Sequence, residues 1–80
     1  MALNQKREGL IKIGQLAKLA GVLPSTIHFY TKEGLLKFVA ETQGGYRLYD
    51  KLQAFKRIQE IQELQRVHRL TLEEIKRKLH

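Results

Sequence analysis

Residues Ile13 to Leu36 read IGQLAKLAGVLPSTIHFYTKEGLL and carry the pattern of two short helices with a tight turn between them. Ile13, Leu16, Ala17 and Ala20 recur at helical spacing and share one face, which predicts a first helix over roughly residues 14–19. Gly21 stands where the chain must turn, and glycine takes a positive φ there without a Cβ clash. Val22 then fills the angle between the helices. Pro24 suits the first position of a second helix, where its missing N–H costs nothing, and that helix is expected over Pro24–Lys32. Leu23 precedes it and cannot cap it as Ser, Thr, Asp or Asn would. Two helices joined this way outline a helix-turn-helix, whose second helix is presented to the major groove of DNA.

A turn of about 100° per residue sorts the second helix into two sides. Ile27 and Tyr30 fall on the side facing a core, and Ser25, His28, Phe29 and Lys32 on the other. On a DNA-contacting face, Ser25 and His28 would reach base edges or phosphates. Lys32 would reach a phosphate, and Phe29 a sugar or a thymine methyl. The alternative packs Phe29 against the next segment, with Phe38 as its partner.

Downstream, Glu33 and Gly34 end the helix, and Leu35 and Leu36 read as buried anchors. Two short runs, Phe38–Ala40 and Tyr46–Tyr49, flank Gly44 and Gly45 and predict a hairpin, a wing beside the helix-turn-helix. Alternation puts Arg47 and Tyr49 on one face and Tyr46 and Leu48 on the other, with Arg47 as a phosphate hook. Asp50 can cap a third helix over Lys51 to about Val67. Its apolar residues Leu52, Phe55, Ile58, Ile61 and Leu64 recur every three positions, so the stripe drifts round the helix. Lys56 and Glu60 are spaced as an ion pair. A break falls at His68–Leu70, and Thr71 to Glu74 form a capping box for a fourth helix with Leu72, Ile75 and Leu79 inward.

Upstream, residues 11–13 suit a brief extended lead-in, and residues 1–9 are polar and read as a flexible tail. The folded domain is expected over residues 10–80. The fold class is therefore mostly α, a winged helix-turn-helix of about four helices with a small two-stranded wing.

Composition narrows the function. Eighty residues make one small domain, and 15 Lys and Arg against 8 Asp and Glu give a formal charge of +7, which suits a polyanionic partner. With no cysteine there is no disulfide and no thiolate metal site. No apolar run reaches membrane-spanning length, and the N-terminal residues lack the apolar centre of a signal peptide, so the cytoplasm is the expected compartment. His28, His68 and His80 lie far apart with no acid at metal or triad spacing. No enzyme, metal site or cofactor is expected.

The segment IGQLAKLAGVLPSTIHFYTKEGLL, followed by GGYRLYD and LTLEEI, resembles the DNA-binding domain of the MerR family of bacterial transcription regulators. The likeness covers about residues 11–79. It implies a winged-helix domain that binds near-palindromic operators in double-stranded DNA, in promoters that members activate or repress. Thr26, His28, Phe29 and Tyr30 fall on the family segment T-[IL]-R-[YF]-Y, and Phe29 and Tyr30 match an aromatic pair that touches the DNA backbone. Arg47 matches the wing arginine, and Tyr49 the tyrosine packed under the wing. The resemblance thus implies a contact set of Ser25, Thr26, His28, Phe29, Tyr30, Lys32 and Arg47. His28 stands where arginine is usual, Thr31 where an acid is common, and Leu23 where a polar residue is usual. Members dimerise through a long fifth helix. A dimer is expected of a full-length form, and a monomer that binds half-sites weakly of these 80 residues. The competing expectations are an excisionase-like DNA-bending factor and a protein-interaction winged helix anchored by Phe29.

Overall fold

In a computed structural model that describes residues 9–79, β1 (Leu10–Lys12) leads directly into α1 (Ile13–Ala20). There follow α2 (Pro24–Lys32), β2 (Ala40–Glu41), β3 (Arg47–Asp50), α3 (Lys51–Arg66) and α4 (Leu72–Leu79). The four helices arise as the sequence predicts, and the second has the expected bounds. The tail expected over residues 1–9 lies outside the described residues except for Gly9. That residue is tied down, because the Lys51 amide donates to its carbonyl at 2.7 Å.

The turn between α1 and α2 works as the glycine suggested. Gly21 adopts φ +70° and its amide donates to the Ala17 carbonyl, which also accepts from Val22 at 3.0 Å. Leu23 makes no side-chain cap, but its carbonyl accepts from the amides of Thr26 at 3.0 Å and Ile27 at 3.4 Å. α2 closes at Gly34, φ +78°, after which Leu35 donates back to the Tyr30 carbonyl at 2.9 Å. That reversal drives Leu35 and Leu36 into the core.

The expected two-stranded wing is part of a three-stranded antiparallel sheet in the order β1-β3-β2. Ala40 pairs with Leu48 and Glu41 with Arg47 across the hairpin. The third strand is the lead-in, with Leu10 opposite Asp50, Ile11 opposite Tyr49 and Lys12 opposite Leu48. The hairpin strands start one or two residues later than the apolar runs suggest. Pairing still continues past them, with the Val39 amide on the Leu48 carbonyl and the Thr42 amide on the Tyr46 carbonyl, both at 2.8 Å.

One core joins the helices to the sheet. It contains Leu16 and Ala17 of α1, Ile27 and Tyr30 of α2, Leu35, Leu36, Tyr49, Ala54, Ile58, Ile61 and Leu64, and Ile75 of α4. Tyr49 is the largest side chain with no exposure at all. Burying residues such as Ile58 and Ile61 contributes roughly 1.5–3 kcal/mol each. On α3 the drift of the stripe has a definite result. Leu52 is 67% exposed and Ala54 takes its place in the core. The expected pair of Lys56 with Glu60 does not form. Arg57 reaches Glu60 instead, at 3.3 Å and in the open, where such a pair stabilises by about 0–1 kcal/mol.

The helix boundaries are closed by side chains. Asp50 Oδ1 accepts from the Gln53 amide at 3.0 Å. At α4 the Thr71 amide donates to Glu74 at 2.8 Å, and the Glu74 amide to Thr71 Oγ1 at 3.2 Å. The bond from the Thr71 amide holds the Glu74 carboxyl below the usual carboxylate range. Between α3 and α4, where no glycine stands, Arg69 adopts φ +55° so that the Leu70 amide can return to the Leu64 carbonyl at 3.0 Å. α4 is also fastened to the end of α2. Lys76 Nζ donates to the Glu33 carboxylate, and that bond raises the lysine above its usual pKa.

Candidate nucleic-acid interface

α2 buries Ile27 and Tyr30 and turns Ser25, His28, Phe29 and Lys32 outward, as the helical period requires. Thr26 is half-buried at the edge of that face. Phe29 is 45% exposed, and its ring meets the neighbouring Tyr30 ring at 6.3 Å and a tilted angle of 52°. Phe38 is engaged elsewhere, edge-on to Tyr49 at 6.5 Å.

Tyr30 is placed differently from Phe29. The resemblance makes it one of a DNA-touching aromatic pair, but only 4% of its surface is exposed. It lies three residues after Ile27, so the helix carries both to the core. Its hydroxyl donates to Gln65 Oε1 at 3.4 Å, and burial raises its pKa. Tyr30 therefore supports α2 from behind, and Phe29 alone of the pair presents a ring to solvent.

The wing is locked to α2 by a short relay. Thr31 Oγ1 donates to the Ile27 carbonyl at 2.8 Å and lies 2.9 Å from the Tyr49 hydroxyl. Threonine has a single hydroxyl proton, and it is used on Ile27, so Tyr49 is the donor to Thr31. Thr31 thus ties the wing strand to the second helix. Phe38 extends the platform, with its ring under the Arg47 guanidinium at 4.9 Å. Arg47 is half-buried and aligned by that ring before any partner arrives.

α2 and the wing meet at a hollow of about 240 Å³ lined by Ile13, His28, Glu41, Gly45, Tyr46 and Arg47. The fold thus brings His28 of the helix and Arg47 of the wing to one concave surface, although they are far apart in sequence. A larger groove of about 450 Å³ runs between the turn after α2, α3 and the end of α4, and none of the seven expected contact residues lines it.

A sequence model of the MerR family regulatory proteins matches residues 12–49, from the end of β1 through the wing. The chain is a MerR-family winged-helix domain. It is 40% identical over 57 residues to the HTH-type transcriptional regulator ZntR of Escherichia coli, covering 69% of this chain and 40% of ZntR. The nodulation protein NolA of Bradyrhizobium elkanii is 37% identical over 70 residues, covering 86% of this chain and 27% of that one. The chain thus spans less than half the length of these relatives. Among solved structures, it is similar to HiNmlR, a MerR family regulator lacking the sensor domain and bound to promoter DNA. There the TM-score is 0.75 at 27% identity, over 88% of this chain and 52% of that one. A MerR-family transcriptional regulator from Bacillus cereus gives a TM-score of 0.63 at 32% identity, over 82% and 48%.

Within this MerR-type domain, two exposed residues near the hollow escaped the sequence reading. Tyr46, at the wing, is 62% exposed, and Lys12 Nζ lies over its ring at 5.3 Å from the centroid. Lys12 stands between two isoleucines, so reading residues 11–13 as a strand would have turned it outward. No helix among the described residues is long and apolar enough to cross a membrane. No group of three or more His, Asp or Glu among them could hold a metal ion.

Proposed function

We propose that this MerR-type domain binds double-stranded DNA, with α2 in the major groove and the wing on the phosphate backbone. The observation that carries this is the shared concave surface of His28 and Arg47 on a domain of charge +7. Ser25 and His28 face base edges, while Thr26, Lys32 and Arg47 meet phosphates. Phe29 packs against sugar or a thymine methyl, and Tyr30 fixes the helix from the core side. The related HiNmlR, whose structure contains promoter DNA, supports the same use of the fold. The domain acts by binding rather than catalysis, in the cytoplasm, as the operator-reading part of a transcription regulator. A dimer would place two such domains on a near-palindromic operator.

The test is a fluorescence titration of the chain against short labelled duplexes at several salt concentrations. Affinity should fall steeply with salt, because each neutralised phosphate adds about −0.9 to the slope of log K against log salt. Arg47→Ala should weaken binding to every duplex alike and make the slope shallower by about one such unit. Equal affinity of Arg47→Ala and wild type on all duplexes would remove the wing from the interface. Absence of binding at low salt would favour a protein partner held by Phe29.

A further inference from the structure

We propose that Lys12 is a second phosphate-binding residue, held in place by the ring of Tyr46; this rests on the DNA-binding reading above. Lys12 ends β1 opposite Leu48, which puts its side chain on the Leu48 and Tyr46 face of the sheet, while Arg47, one residue along β3, alternates to the other face. Its backbone is committed, since its amide donates to Gln15 Oε1 at 3.0 Å and opens α1. Its side chain is not. Among the described residues, no carboxylate lies within ion-pair distance of Lys12 or Arg47. Each of these cations lies instead over an aromatic ring, Lys12 on Tyr46 and Arg47 on Phe38.

That arrangement suits anion binding. A ring face attracts an ammonium group and limits its rotamers, yet takes up none of its three N–H donors. A carboxylate partner would compete with an incoming phosphate, and a ring does not. Tyr46 is itself a lining residue of the hollow that holds His28 and Arg47. Lys12 does not line the hollow but lies over the Tyr46 ring that does, on the side of β1, and Arg47 lines it from β3. A backbone entering the hollow meets a cation on each side of the wing strand. Lys12 is compact and free to reorient its donors, so it acts as a point charge on phosphate and adds grip without base preference.

The experiment is the same salt titration with the full chain, on several mixed-sequence duplexes, comparing wild type, Lys12→Ala, Arg47→Ala, Tyr46→Ala and the Lys12→Ala/Tyr46→Ala double variant. At about 0.1 M salt the loss of one phosphate contact lowers affinity about eightfold and makes the salt slope shallower by about 0.9. Lys12→Ala should show both changes, equally on all duplexes. Tyr46→Ala should weaken binding in the wild-type background and do much less in Lys12→Ala, because the ring acts through the lysine. Lys12→Ala with wild-type affinity and slope, while Arg47→Ala loses both, overturns the role of Lys12 and leaves the DNA reading intact. Failure of wild type to bind any duplex overturns both.

Discussion

Removing the Thr31 hydroxyl should destabilise the domain more than removing the Tyr49 hydroxyl, although both break the same 2.9 Å bond. In Tyr49→Phe, Thr31 keeps its bond to the Ile27 carbonyl and nothing is left without a partner. The cost is one neutral hydrogen bond, about 1 kcal/mol. In Thr31→Val the Tyr49 hydroxyl loses its acceptor on a residue with zero exposure. An unsatisfied buried donor costs about 1–3 kcal/mol. In the double variant both groups are apolar, and the cost should fall to within about 1 kcal/mol of wild type. The coupling is therefore about −1 to −3 kcal/mol, and the double variant is more stable than Thr31→Val alone. A domain of this size has roughly 4–12 kcal/mol of stability in all, so every variant remains folded. Urea unfolding at neutral pH, with the slope on denaturant checked for constancy, measures all four proteins. If the two single costs simply add, the relay does not join wing and helix.

Two further outcomes concern the helix boundaries. Glu74 has a lowered pKa in the folded domain, so its contribution to stability is present above the ordinary value of 4.5 and is lost as pH falls through the lower folded value. Glu74→Gln keeps an oxygen for the Thr71 amide but cannot titrate, so between about pH 5 and 3 it should lose less stability than wild type. Identical pH profiles in thermal unfolding would contradict this. Arg69 bears a left-handed φ of +55°, which costs a non-glycine residue about 1–2 kcal/mol. Part of the gain in Arg69→Gly is offset by the freer unfolded chain, leaving about 0.5 kcal/mol, a rise of about 2–4 °C in Tm. A fall in Tm would show that the Arg69 side chain contributes more than its backbone costs.

Features that rest on neighbouring residues were legible from the sequence. Gly21, Pro24, Asp50 and the Thr71–Glu74 box each act within a turn of helix: Gly21, Asp50 and the box make the bonds their positions predict, and Pro24 opens α2 where no donor is needed. The outward face of α2 follows from its period, and so does the burial of Tyr30. What was not legible depends on distant partners. Leu10–Lys12 is too short to signal a strand and becomes one because β3 lies open beside it. Leu52 and Ala54 exchange roles because the core decides which side of the drifting stripe α3 presents. Arg69 occupies a position that glycine usually marks, so the local signal for the break is missing. Lys12 and Tyr46 lie 34 positions apart, and only the pairing of β1 with β3 brings them together.

The central claim is that α2 reads sequence while the wing grips phosphate. Selection from a random duplex pool, with wild type and a Ser25→Ala/His28→Ala variant sequenced side by side, tests it most directly. The account predicts one enriched half-site for wild type and a changed or lost preference in the variant, with the salt slope altered far less than by Arg47→Ala. The same half-site enriched equally by both proteins would contradict base readout by α2.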